Sequence, residues 1–342
     1  MNLPTTTFQL GKYKVLRKLG NGQFGYVYEA LDMALAARKA IKIIELEKPD
    51  ELLSTLLEAN ILDKCRHKNI VQINEANVME LNGKQVVVLD LEYADGGSLS
   101  SEMEKRFLSV KESICHISSM LSGLEYAHNQ GFLHRDIKPA NILVSGGVTK
   151  LSDFGLATVP TGKIGSGKGY VSHLAPETLT KNVTTIQTDI YASGITLFRL
   201  VNQVSDWHSI VVSQKDPQKL ITNGTLLNKI GFQPYIPQQI KRILSKACTP
   251  ILTKRFHSAL EMRQALDKLR YNIVWNKNSP DEWSGADNHN SYTMKKSRSA
   301  RGVISVEFSK NGRMQSDKCK KNICELEAVA CMNNIVMNTT FG

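Results

Sequence analysis

The sequence predicts an α+β protein built from a small β-rich lobe, a larger α-helical lobe and a small C-terminal appendage. Three observations predict it. Residues 13 to 45 read as short strands broken by glycines, helical spacing takes over from about residue 100, and the pattern breaks again after Leu269. A chain of 342 residues has room for one large domain and an addition. The expected division is a main domain over 13–270, with lobes over about 13–94 and 98–270. A linker over 271–302 and an appended module of unassigned role over 303–342 would follow.

Each element has its own signal. YKVLRKL, FGYVYEAL and ARKAIKII supply three strands. In residues 50 to 65, Leu52, Leu53, Leu56, Leu57 and Ile61 recur at helical spacing, which predicts an amphipathic helix. QVVVLDLEY (85–93) is strand-forming, ADGGS after it is a turn, and the lobes join between Asp95 and Ser98. KESICHISSMLSGLEYAHNQG carries apolar residues every third or fourth position, with Gly131 as the stop. The stretch NKNSPDEWSGADNHNSYTMKKSRSA is polar and rich in turn formers, hence the expected linker. VISVEFSKNGRMQ alternates apolar and polar residues around Asn311-Gly312, which predicts a hairpin, and ICELEAVACM predicts a short helix.

Composition narrows the function classes. Hydrophobic residues at 42% and charged residues at 22% are those of a globular domain with a sizeable core. The net charge of +11 reads as a solvated basic surface, because Lys295, Lys296, Arg298 and Arg301 form the densest basic cluster and are too sparse for a nucleic-acid arm. No nucleic-acid partner is expected. The six cysteines contain no CxxC pair, so neither a zinc nor a disulfide framework is indicated, and a reducing compartment fits them. The N-terminus has no secretory signal, and no apolar run approaches membrane-spanning length. The expectation is a cytoplasmic protein without a membrane partner.

The first chemical motif is Gly20-Asn21-Gly22-Gln23-Phe24-Gly25, followed by Tyr26 and Val27. Glycines at this spacing let backbone amides approach phosphates, because no Cβ intrudes. A dinucleotide loop would open a helix, whereas YVYEAL here returns as a strand. Lys42 follows Ala40 on the third strand, where an inward lysine needs an anion, and Glu58 on the helix could supply an opposing carboxylate. The decisive segment is His134-Arg135-Asp136-Ile137-Lys138-Pro139-Ala140-Asn141, a carboxylate, an ammonium and a carboxamide in one loop. Phosphoryl transfer needs a group that orients the hydroxyl, positive charge by the γ-phosphate and oxygen ligands for Mg²⁺. Asp153-Phe154-Gly155 adds a second oxygen ligand, and Ala175-Pro176-Glu177 completes the series.

With these motifs in this order, residues 13 to 270 resemble a Hanks-type (eukaryotic-like) serine/threonine protein kinase. The resemblance implies the bilobal protein kinase fold and transfer of the γ-phosphoryl of ATP to a protein substrate, the chain itself included. It implies ATP with Mg²⁺, or Mn²⁺ in its place. Lys42 would clamp the α/β-phosphates and pair with Glu58, Asp136 would be the catalytic base, Lys138 would contact the γ-phosphate, and Asn141 and Asp153 would hold the metal. Leu19, Val27 and Ala40 would roof the adenine and Leu143 floor it. Leu91 falls at the gatekeeper position, with Glu92, Tyr93 and Ala94 as the hinge. Asp189 matches the aspartate that braces the catalytic loop, and Arg255 the arginine that pairs with Glu177.

The family pattern slips at Tyr170, where serine/threonine enzymes carry threonine, so tyrosine or dual specificity is the alternative reading. Arg135 beside the catalytic aspartate suggests control by a phosphorylated segment, with Thr158, Thr161, Ser166, Tyr170 and Ser172 as candidate acceptors. Gly162 to Gly169 nearly spells a Walker A loop, but Gly169 stands where the Mg²⁺-binding hydroxyl would be. A pseudokinase scaffold and a small-molecule kinase are the rival classes. The presence of Lys42, Asp136 and Asp153 argues against the first, and the Ala175-Pro176-Glu177 segment against the second.

Overall fold

A computed structural model describes residues 7–22, 25–46, 51–154 and 173–342. For residues 22, 51–55, 57 and 58 only the backbone is described. In the first lobe, β1 (Phe8–Leu10), β2 (Tyr13–Gly22), β3 (Gly25–Asp32) and β4 (Ala37–Glu45) precede helix α1 (Glu51–Lys64). Next come β5 (Ile73–Leu81) and β6 (Lys84–Leu91). The six strands form one antiparallel sheet in the order β1-β2-β3-β4-β6-β5. Strand periodicity sorts the side chains onto its two faces. Ile41, Ile43, Val86 and Val88 pack on one face with Tyr13, Val15 and Tyr28. The alternate residues Ile44, Val87 and Leu89 join the core that includes Ile61 and Leu62 of α1. Lys42 is thereby placed on the inward face, and only 2% exposed.

The second lobe opens with β7 (Gly97–Ser98), α2 (Leu99–Lys105) and α3 (Val110–Asn129). A capping box between Ser109 and Glu112 starts α3, and Gly131 takes the left-handed conformation just past its end. β8 (Ile142–Ser145) and β9 (Val148–Leu151) pair with β7 in a small sheet. Helices α4 (Pro176–Lys181), α5 (Ile186–Asn202), α6 (Trp207–Val212) and α7 (Pro217–Thr222) follow, then α8 (Leu226–Ile230), α9 (Gln238–Ala247) and α10 (Ala259–Asp267). Every residue of α5 from Thr188 to Asn202 is buried, the mark of a helix at the centre of its lobe. It packs on α3 and α9.

Residues 271–302, expected as a linker, are instead largely strands. β10 (Val274–Ser279), β11 (Glu282–Ala286) and β12 (Ser291–Arg298) join β13 (Ile304–Lys310), β14 (Arg313–Met314) and β15 (Lys320–Ile323) in a six-stranded antiparallel sheet, with helix α11 (Glu325–Thr339) following. The polar composition hid a period of two. Only alternate positions are apolar, so Trp283 pairs with Met294 and Met294 with Phe308 on one face. Gly285 opposes Trp275 in register, and a Cβ there would lie 2.7 Å from the indole, so the glycine makes room for the ring. Asn311 and Gly312, both at positive φ, close the β13–β14 hairpin. The helix expected over 323–332 starts at Glu325 and runs on to Thr339.

Trp283 fastens this module to the second lobe. It is 2% exposed, and its ring meets Phe107 and Tyr235 edge-on at centroid distances of 5.5 and 5.3 Å. Trp283→Ala should destabilise the chain by about 3–5 kcal/mol, the usual cost of truncating a buried large aromatic. Urea unfolding checks the magnitude, and limited proteolysis should show new cuts near residue 271. An unchanged unfolding midpoint would mean that the module does not depend on this contact.

Candidate active site

Between the lobes lies a cleft of about 980 Å³. Leu19, Gly20, Asn21, Val27, Ala40 and Lys42 line it from the first lobe, and Leu91, Glu92, Tyr93 and Ala94 from the connection. Lys138, Asn141, Leu143 and Asp153 line it from the second lobe. A Cβ built on Gly20 meets no atom within 4 Å, so the backbone there faces open space that a ligand can enter. Gly25 is a glycine for another reason: a Cβ would strike the Ile43 carbonyl oxygen at 2.3 Å. Gly25 and Tyr26 are not among the lining residues, and Tyr26 packs on the outer face of the sheet with Lys18 4.0 Å from its ring centre. Gln23 and Phe24 lie outside the described residues, and of Gly22 only the backbone conformation is described.

On the floor, Asp136 accepts hydrogen bonds from Lys138 Nζ at 2.7 Å and Asn141 Nδ2 at 2.9 Å. Asn141 Nδ2 also donates to the Asp136 carbonyl at 2.8 Å. The Asn141 backbone oxygen accepts from Ser152 N and Oγ at 2.9 and 3.0 Å, tying the loop to the start of the Asp153 segment. Asn141 Oδ1 is left over as an acceptor among the described residues.

His134 links the same two segments. Its Nδ1 faces the Asp136 N–H at 3.2 Å and its Nε2 the Ser152 carbonyl at 3.0 Å, which calls for the proton on Nε2. Its ring packs against Phe154 with a centroid distance of 4.7 Å. Arg135 and Asp153 both sit at positive φ, +68° and +62°, a conformation that non-glycine residues hold only where their surroundings impose it.

Lys42 Nζ meets Asp153 Oδ1 at 2.9 Å. Burial alone would raise the Asp153 carboxyl, but the charge and hydrogen bond of Lys42 outweigh it and hold the group below its ordinary value. The expected Lys42–Glu58 pair concerns a side chain outside the described residues. The Lys42–Asp153 pair spans 111 positions of sequence, and no local pattern announces it. Glu92 was expected only as a hinge residue, yet its side chain bonds Lys150 at 3.0 Å and Ser145 Oγ at 2.8 Å. The connection is thus stapled to the β8–β9 hairpin.

Asp189 braces the loop from α5. Its carboxylate accepts from the His134 and Arg135 backbone N–H at 2.9 and 2.8 Å, and from His128 Nε2 at 2.8 Å. Arg255 and Glu177 form a two-pronged ion pair at 2.7 and 3.1 Å, with Arg255 fully buried. Arg135 Nε and Nη2 are buried with no hydrogen-bond partner among the described residues. The segment 155–172, with Tyr170, the other candidate acceptors and the near-Walker stretch, lies outside the description.

The donor set suits a hard oxygen-seeking cation. Asn141 and Asp153 offer two oxygens, and no cluster of three or more His, Cys, Asp or Glu side chains that could hold a metal exists among the described residues.

Residues 13–268 match the protein kinase domain family. A probable serine/threonine-protein kinase PknB of Lactococcus lactis subsp. lactis is 31% identical over 74% of this chain and 42% of its own length. CBL-interacting protein kinase 26 of Oryza sativa subsp. japonica is 31% identical over 59% of this chain and 42% of its own. Human serine/threonine-protein kinase STK11 is 32% identical over 56% of this chain and 47% of its own. The chain spans less than half the length of each of these relatives. With the family match running through both lobes and ending where the appended sheet begins, the chain belongs to the protein kinase family.

Proposed function

We propose that the chain is an active ATP-dependent serine/threonine protein kinase that uses Mg²⁺ and phosphorylates proteins, itself included. The observation that carries this is the joined floor of the cleft, where Asp136, Lys138 and Asn141 are mutually bonded and Lys42 meets Asp153. Bound Mg²⁺ would neutralise phosphate charge, and Asn141 and Asp153 would hold it.

The chain's own groups do the rest. Lys42 would hold the α- and β-phosphates, with the roof of Leu19, Val27 and Ala40 and the floor of Leu143 enclosing the adenine. Asp136 would orient the acceptor hydroxyl and take its proton as the hydroxyl oxygen bonds to the γ-phosphorus and the bond to the ADP oxygen breaks. Lys138, already bonded to Asp136, would offset the charge on the phosphoryl in flight. Among the described residues no helix is long and apolar enough to cross a membrane. All six cysteines are free, which supports work in a reducing, cytoplasmic setting.

The Arg135 nitrogens, buried and without a hydrogen-bond partner among the described residues, support control by a phosphate on the chain itself, because a guanidinium so placed gains charge-assisted hydrogen bonds from such a group.

Incubation with γ-labelled ATP and Mg²⁺, followed by phosphoamino-acid analysis, tests the assignment. Label on serine or threonine of an added substrate is expected, and phosphotyrosine alone would overturn the specificity. Asp136→Ala should lower kcat by about 10²- to 10⁴-fold, the usual worth of a general base, and full activity in that variant would remove Asp136 from the role. Mass spectrometry of active enzyme should find phosphate within 158–172; fully active enzyme without it would rule out the control by self-phosphorylation.

A further inference from the structure

Beyond Lys138 the cleft continues along the second lobe to a cation that the phosphoryl-transfer chemistry does not use. Arg199, near the end of α5, lines this extension and is 6% exposed. Its Nε donates to the Val204 carbonyl at 3.2 Å and its Nη2 to the Ser205 carbonyl at 2.7 Å. Its Nη1 lies 3.2 Å from His173 Nε2. These contacts use three of the five N–H groups of a guanidinium, and each partner is uncharged. Burial draws the Arg199 pKa down to about 10, with Asp206 acting the other way, so the group stays protonated at neutral pH. Burial, with Arg199 and Lys138 nearby, holds the His173 imidazole well below its ordinary value, so it receives the Arg199 proton as a neutral acceptor.

A buried charge is held in place by a countercharge or by a ligand that brings one. Arg199 has no ion pair among the described residues. Asp206 is near enough to be felt, but its carboxylate caps α6 by accepting from Ser209 N at 3.2 Å. The three uncharged partners fix the direction of the fork without neutralising it. His173 senses the charge of Lys138, which is itself 2.7 Å from Asp136, so the fork stands close to the place where the acceptor hydroxyl must bind. Lys42 and Gly20 belong to the first lobe, whereas Arg199 is held by the α5–α6 connection of the second.

We propose that Arg199, oriented by His173 and the α5–α6 connection, is a specificity subsite that selects protein substrates carrying an anionic side chain within about three residues of the phosphorylated Ser or Thr. The anion is a carboxylate or a phosphate already on the substrate; both offer the paired oxygens that a guanidinium fork binds. This assignment rests on the protein kinase reading and names the substrate class for it.

The test uses the full chain and neutral peptides with one serine acceptor, carrying Glu, phosphoserine, Gln or Lys at each flanking position in turn. Peptide affinity is read by fluorescence anisotropy, and KM and kcat separately by phosphate transfer. At one flanking position Glu or phosphoserine should lower Kd and KM about ten- to a hundredfold relative to Gln, as for a hydrogen bond to a charged group, and Lys should raise them. A larger gain for phosphoserine than for Glu marks pre-phosphorylated substrates, and the reverse marks acidic ones. Arg199→Gln should bring the Glu-to-Gln ratio to about one, and Arg199→Lys should keep part of it. Asp206→Asn preserves a helix cap and removes the competing charge, so the ratio should rise. Equal values for Glu and Gln at every position in the wild-type chain would overturn the subsite, and that comparison needs no variant to fold. An undiminished ratio in Arg199→Gln would overturn it as well. Absence of phosphate transfer to every peptide would count against the kinase reading, while the anisotropy ratio would still decide the subsite.

Discussion

A single buried carboxylate sets the geometry on which the candidate active site depends. Asp189 is 1% exposed, and an ion in that position carries a desolvation cost of several kcal/mol unless hydrogen bonds replace its water. Burial would push its pKa up, but the bonds from His128 and the catalytic-loop backbone prevail and hold it below its ordinary value. The anion in turn fixes the two peptide N–H groups of His134 and Arg135, and Arg135 is held at a positive φ that its side chain would not choose. The first turn of α5 is a favourable place for a negative charge. One helix at the centre of the second lobe therefore decides where Asp136 stands.

From that fixed loop the order spreads by short links. His134 reaches Ser152, Ser152 reaches Asn141, and Asn141 reaches Asp136, so Asp136 and the Asp153 segment share one set of bonds. Lys42 closes the set from the opposite lobe through Asp153. Its position follows from strand alternation alone: Ile41 and Ile43 fill the outer core, which leaves Lys42 facing the cleft. A one-residue slip in β4 would exchange the two faces and bury the ammonium among the outer side chains. The register of the first lobe thus decides that Lys42 faces the cleft.

Much of this was legible in the sequence where chemistry is written locally. Asp136, Lys138 and Asn141 lie within one loop, and their types and spacing announce the reaction before any fold is known. Three of the four strands before residue 46 were readable from period and glycine punctuation, and α1 from its run of leucines, whereas the short β1 was not. Partners set by tertiary approach were not readable, as with Lys42 and Asp153, or Glu92 and Lys150. The 271–302 stretch misled because its strands bury few side chains. Trp275, Trp283, Tyr292 and Met294 alternate with polar residues and with asparagines and serines that look like turns. Large aromatics at alternate positions were the available signal, and composition outweighed them.

Two buried arginines in the second lobe differ in how their charge is met. Arg255 is fully enclosed, meets both oxygens of Glu177, and spends its remaining donors on the Thr249 and Gln187 carbonyls. Its charge is matched and its hydrogen bonds are complete, so it can do no more than hold α4 against the helices beneath. Arg199 is nearly as buried, yet every partner it has among the described residues is neutral, and it opens on the cleft that contains Asp136. Stability alone gives no reason for that arrangement, because an apolar side chain of similar volume would avoid the desolvation cost. A well-oriented guanidinium beside the proposed phosphoryl-transfer site, unmatched by any charge among the described residues, is accounted for if the missing countercharge arrives with the substrate.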